Sequence, residues 1–191
     1  DKELQRKYRE GLICHSVTLG GEVSRALRNN DWEKAEQTAK EHLDIFGPDN
    51  YFLEITHHPE IEGHEEVQKK LIELGKKMGI PIVAAQDFYY LNPDDKRARD
   101  TMLAIQSSRD LADMQLGDVD TSFISEAQAE DYFGHIPEAI LNTNRIAERA
   151  NVALELGKWV FPDLPIENGV TYDKKLRELA YLGLAGRGVG E

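Results

Sequence analysis

The sequence predicts an α/β fold in which parallel strands and crossover helices build a sheet or a segment of a barrel, followed by a helical extension. Three observations carry that prediction. Short apolar runs rich in strand-forming residues stand at 11–16, 51–56 and 80–85. Amphipathic helical patterns fill 31–46 and 64–78 between them. Strands that alternate with helices in this way are joined by right-handed crossovers, which leave neighbouring strands parallel.

The first strand run, GLICHS, follows a decapeptide, DKELQRKYRE, that is charged throughout. So abrupt a start reads as cut from something longer. Gly20 and Gly21 then turn the chain into a short helix over 23–28. A glycine pair before a helix can cradle phosphate, but with no Lys-Ser/Thr after it a plain turn is the better reading. Asp31 stands as an N-cap, Trp32, Ala35, Ala39, Leu43 and Phe46 recur at helical spacing, and Gly47 and Pro48 stop that helix. The second strand, YFLEIT, runs into the loop His57-His58-Pro59-Glu60. Val67, Leu71, Leu74 and Met78 share one face of the next helix, which Gly79 closes.

Residues 80–95, IPIVAAQDFYYLNPDD, read as strand, polar elbow and helix. In a parallel sheet ligands bind outside the carboxyl ends of the strands, so Asp87 is expected at the mouth of a site. Asn92 as N-cap, Pro93 at the first helical position and two acids behind it open the third helix, which continues to about Ile105. Residues 109–120 are polar and aperiodic, and Ser122-Phe123-Ile124 has the pattern of a short edge strand. Ser125 caps a helix to Phe133, and Pro137 starts another over 137–150. On this last helix Ile140, Leu141, Ile146 and Ala147, with Asn144 as a polar intruder, form the side expected on the sheet. Residues 152–156 read as a short extended element and 161–165 as a stiff connector. The final helix, from Thr171 or Asp173, carries Leu176, Leu179, Ala180, Leu182 and Leu184. An apolar helix after a linker is expected to be the first element of a following domain.

With 191 residues, 40% of them apolar and 30% charged, the composition is that of an ordinary soluble domain. A single cysteine, Cys14, forms no internal disulfide, and no apolar run approaches the roughly 20 residues that span a bilayer. A cytoplasmic location and no membrane contact are the expectation. The formal net charge of −12 repels phosphate backbones and argues against this chain gripping nucleic acid by itself.

The three strand ends deliver His15, Ser16 and Thr18, then His57 and His58, then Asp87 and Tyr89. A metal-dependent phosphoesterase needs such a ring, because oxygen and imidazole ligands hold the ion that activates water. The spacing matches no closed metal motif. Each residue also has a plainer reading: His57 and His58 as a solvated loop, since neighbouring side chains diverge, His15 as a hydrogen-bonded core histidine, Asp87 as a turn cap, and Tyr89 and Tyr90 as packing. Glu54 lies inside a strand pattern that lets it face either way.

The ordered series Gly11-Leu12-Ile13, Leu19-Gly20-Gly21-Glu22, Ile45-Phe46-Gly47, Tyr51-Phe52-Leu53-Glu54-Ile55, Ile80-Pro81-Ile82-Val83-Ala84, Asp87, Tyr90-Leu91, Pro93-Asp94-Asp95, Ile105-Gln106 and Pro137-Glu138-Ala139, with Asn142-Thr143 and Ile146-Ala147-Glu148-Arg149, resembles the bacterial DNA polymerase III alpha subunits, the C-family replicative polymerases. The resemblance runs from about Gly11 onward. It implies that residues 1–157 are the later part of a PHP (polymerase and histidinol phosphatase) domain, a distorted β/α barrel. Residues 158–191 are then a linker and first helix leading into the polymerase palm. The PHP domain's first half, with its His-x-His pair, and the palm carboxylates of nucleotidyl transfer are not in this stretch, so the chain alone is not expected to polymerise DNA.

Members with a working PHP site bind up to three metals and can act as 3′–5′ exonucleases, whereas others keep the fold after losing ligands. Three of the family's ligand positions fall in this chain. Thr18 stands where Cys is usual, Asp87 matches the Asp ligand, and Tyr89 replaces a His. Neutral Thr and Tyr are poor substitutes for thiolate and imidazole. The resemblance therefore does not by itself imply a divalent metal here, whether zinc, manganese or magnesium. Asp87 is the ligand position kept, with His15 and His57 as other candidates. The first functional expectation is a structural and partner-binding platform, in contact with the thumb and palm of the same subunit and with a proofreading exonuclease subunit, reaching DNA through the complete replicase. The second is a metal-dependent phosphoesterase or 3′–5′ exonuclease active in the complete chain. A free-standing small-molecule phosphatase of the same superfamily is disfavoured by the palm-like tail.

Overall fold

A computed structural model describes residues 1–110, 119–162 and 165–188. The aperiodic stretch 109–120 and the connector 161–165 lie partly outside the described residues. The chain forms two units, Asp1–Asn151 and Val152–Glu191.

In the first unit the order is α1 (Lys2–Tyr8), β1 (Cys14–His15), α2 (Glu22–Arg28), α3 (Trp32–Phe46), β2 (Tyr51–Ile55), α4 (His64–Met78) and β3 (Ile82–Ala84). A 3₁₀ turn at Pro93–Asp95 then leads into α5 (Lys96–Ser107), α6 (Glu126–Phe133) and α7 (Pro137–Arg149). The strands lie side by side in sequence order and run parallel, Cys14 opposite Tyr51 and Leu53 opposite Ile82. This is the predicted α/β architecture, compatible with part of a β/α barrel.

Local chemistry sets the helix ends. Asp31 accepts the Lys34 N–H at 3.0 Å and so starts α3, and Ser125 shares a reciprocal capping box with Gln128 at the start of α6. Within α4, a side chain at Gly75 would stand 2.6 Å from Ile82 Cδ1 and 2.9 Å from the Ile80 carbonyl. Only glycine lets that helix lie so close to β3.

Successive strand residues point to opposite faces, and the two faces of β2 differ. Tyr51, Leu53 and Ile55 join Leu27, Ala35, Ala39, Leu71 and Leu74 in one core beneath α2, α3 and α4. Burying a Leu53-sized side chain there contributes roughly 1.5–3 kcal/mol. Phe52 and Glu54 face the other way.

The far edge of β3 is closed by α7. β3 and the residues flanking it use the Pro81 carbonyl and the Ala85 N–H to pair with β2, which leaves alternate groups pointing outward. Asn142, buried in α7, donates its side-chain N–H to the Ile82 carbonyl at 2.8 Å, and the Thr143 hydroxyl donates to the Ala84 carbonyl at 2.6 Å. Side-chain donors thus satisfy a strand edge that would otherwise be open to pairing. This docking also corrects the expected helix face: Ala139 and Asn142 are buried, while Leu141 is exposed.

Other differences have equally local causes. α1 was not foreseen because it has no apolar stripe; Lys2 and Arg6 hold it to Glu41 and Lys2 also to Glu22, at 2.8–3.0 Å. The first strand is short, paired through the Cys14 N–H to Asn50 and the Ser16 N–H to Phe52. Ser122 makes an isolated parallel bridge to Tyr90 instead of a strand. In the second unit, α8 (Tyr172–Gly186) forms as expected, but residues 152–156 make no strand. Among the described residues no helix is long and apolar enough to cross a membrane.

Candidate functional site

All three strands run in one direction, so their carboxyl ends meet at one edge, and the polar residues that follow them cluster there in two groups.

The first group joins β1 to β2. Glu54 is 8% exposed and projects from the face of β2 opposite α2, α3 and α4. Its carboxylate accepts a hydrogen bond from His15 Nδ1. The Thr18 hydroxyl, 3% exposed, lies 3.2 Å from the Glu54 carboxylate and 3.2 Å from its backbone carbonyl. The Glu54 N–H donates to the Ser16 hydroxyl at 3.0 Å. The hydrogen bond to Glu54 raises the His15 pKa above the ordinary imidazole value, against the opposing effect of burial. Thr18 reaches this position because the turn before α2 is tight: a Cβ at Gly21 would stand 2.8 Å from the Val17 carbonyl. Cys14, on the opposite face of β1, has its thiol pKa pushed up by burial, which disfavours the thiolate a ligand or nucleophile needs.

The second group surrounds the loop after β2. The His57 N–H donates to the Gln86 side-chain oxygen and the Gln86 amide donates back to the His57 carbonyl, both at 3.0 Å. One side chain thereby prolongs the β2–β3 ladder past the end of β3. The His57 ring stacks on Tyr132 with centroids 3.8 Å apart, and burial lowers its pKa. His58 is 5% exposed, so the expected solvated loop is in fact packed. Among the described residues its Nδ1 has no hydrogen-bond partner, although a Glu60 oxygen lies 3.4 Å away. His64, buried beside it, shares a 2.9 Å hydrogen bond with the Thr56 hydroxyl, and burial lowers its pKa too.

Asp87 sits at the rim of this second group. Its carboxylate is largely exposed and lies 3.9 Å from His58 Nε2. Tyr89 is exposed, and the Arg99 guanidinium lies 4.5 Å above its ring in a cation–π contact. The geometry therefore brings His15 to Thr18 and His57 near His58, and places Asp87 beside His58. Among the described residues no group of three or more His, Cys, Asp or Glu is arranged to hold a metal ion. The Thr18 hydroxyl is neutral and turns its proton to Glu54, which makes it a poor metal donor beside thiolate or imidazole, so this residue set does not fit a metal.

A cavity of about 580 Å³ opens beside His15, between β3 and the helices α6 and α7, walled by Val83, Phe88, Phe123, Phe133 and Ile140. The sequence reading missed the roles of Glu54, Gln86 and His64. For Gln86 a signal was present: a long amide one residue past a strand, facing the loop of its neighbour, can replace a missing backbone pair.

Residues 1–58 match the family model described as the PHP domain. Over 98% of its length the chain is 33% identical to DNA polymerase III subunit alpha of Pseudomonas fluorescens and 34% identical to that of Thermus aquaticus. Over 81% of its length it is 34% identical to the Treponema pallidum protein of the same name. It covers 16% of the length of the first two relatives and 13% of the third.

Proposed function

Since this chain is homologous over nearly its whole length to one part of the DNA polymerase III alpha subunit, we propose that it serves a replicative DNA polymerase as the later portion of the PHP domain, acting there as a structural and partner-binding platform. Residues 1–157 supply the PHP portion, and 158–191 the linker and first helix toward the palm. The neighbours it serves are the thumb and palm domains of the same subunit and a proofreading exonuclease subunit, with DNA held by the complete cytoplasmic replicase rather than by this acidic surface.

The observation that carries the platform reading is the Thr18 hydroxyl bound to Glu54. PHP domains in general bind divalent metals, and Thr18 stands where a Cys ligand is usual. A neutral hydroxyl that turns its proton to a carboxylate brings a metal no negative charge and is a far weaker ligand than a thiolate. The exposed Tyr89 under Arg99 supports the same reading at the position of a lost His.

The alternative is a metal-dependent phosphoesterase or 3′–5′ exonuclease, and Asp87 favours it, being the ligand position kept and beside His58. The test is exonuclease activity of the full-length natural protein on a 3′ end, with and without chelator. The platform reading predicts no chelator-sensitive activity attributable to this domain. Activity that is lost both with chelator and in Asp87→Ala would contradict it.

A further inference from the structure

We propose that in this chain hydrogen bonds between side chains take over the work of tying the strand ends together, with the Glu54 carboxylate as the hub and His15 and Thr18 as its donors. The inference rests on the platform reading and says what replaces the metal in it.

A carboxyl group that is 8% exposed is costly to bury unless hydrogen-bond donors meet it. Here the donors come from a neighbouring strand and the turn after it. His15 belongs to β1, Thr18 to the turn into α2, and both converge on one residue of β2. The Ser16 hydroxyl accepts the Glu54 N–H from the same side. Between them these bonds span 36–39 residues of sequence and fasten β1, which is only two residues long, to β2. A strand so short has little backbone pairing of its own, the Cys14 N–H to Asn50 and the Ser16 N–H to Phe52 bonds among it. Its attachment therefore depends on the side chains at its end.

The same pattern recurs at the other departure from the family's ligands. Tyr89 receives a guanidinium, that of Arg99, on its ring face. Arg99 also reaches Asp100 at 3.4 Å, so the elbow after β3 is tied to α5 by a side-chain cation.

Hydrogen exchange of backbone amides in the full-length natural protein tests the hub. In His15→Ala the Cys14 and Ser16 amides are expected to exchange about tenfold faster or more, with little change at Leu53 and Ala85, whose bonds lie on the β2–β3 side. His15→Asn, whose amide nitrogen takes the place of Nδ1, is expected to restore most of the protection, and it also serves if the alanine variant does not fold. Chelator or added zinc is expected to leave all four wild-type rates unchanged. Unchanged exchange in both His15 variants, with no chelator effect, would overturn the hub and leave the platform reading standing. Faster wild-type exchange at Cys14 and Ser16 on adding chelator would overturn both, because a bound metal would then be fastening β1.

Discussion

The two faces of the three-stranded sheet are built by opposite means. Toward α2, α3 and α4 the strands present Tyr51, Leu53, Ile55, Ile82 and Ala84, and nothing but packing is asked of them. Toward the other side they present His15, Phe52, Glu54 and Val83, where one ionisable group is kept buried by named donors. The first face tolerates apolar exchange at conserved volume. The second depends on particular atoms.

Breaking the first face has the largest effect. Leu53→Ala removes a fully buried side chain from the centre of the core, and is expected to lower stability by about 2–5 kcal/mol, measured by chemical denaturation. Breaking the second face costs less. Glu54→Ala removes the acceptor shared by the His15 and Thr18 side chains, an expected loss of about 1–3 kcal/mol. Glu54→Gln keeps a side-chain acceptor oxygen at the same reach and is expected to recover most of that loss. If Glu54→Gln is no more stable than Glu54→Ala, the side-chain bonds do not hold the hub. At the sheet edge, Asn142→Ala leaves the Ile82 carbonyl without its side-chain donor, an expected loss of about 1–3 kcal/mol.

The smallest effect sharpens the comparison by pH. The His15 pKa is raised in the folded chain. Its stabilising contribution is therefore complete below the ordinary imidazole value of about 6.5 and is lost as pH rises through the higher folded value. His57 and His64 are lowered, so their corner is fully stable above about 6.5 and weakens as pH falls below it. Amide exchange followed across neutrality is expected to loosen β1 on the alkaline side and the loop after β2 on the acid side. Loosening of both on the same side would contradict the assignment of the two groups.

How much of this was legible beforehand follows the same division. α3, α4 and α6 could be read because caps and stops are local: Asp31, Gly79 and Ser125 do in the structure what their positions suggest. The parallel order of the strands followed from the lengths between them. The burial of Glu54 could not be read, since it shares its side of the YFLEIT alternation with Phe52 and Thr56 and only the tertiary packing decides whether that mixed side is covered. α1 was illegible for a related reason, its stability resting on ion pairs to Glu22 and Glu41 far along the chain. On α7 the apolar residues suggested one docking side, yet Asn142 and Thr143 dock the helix through hydrogen bonds to β3. At the site, Thr18, Asp87 and Tyr89 could be named from the family resemblance, but that Glu54 occupies the Thr18 hydroxyl depends on a contact across 36 residues.

The most direct test of the central claim, that this portion is a platform without a working metal centre, is the zinc and manganese content of the full-length natural protein, purified without chelator and compared with its Asp87→Ala variant. Metal well below one ion per chain, and no difference between the two proteins, is the predicted result. One or more ions per chain, lost in Asp87→Ala, would contradict it.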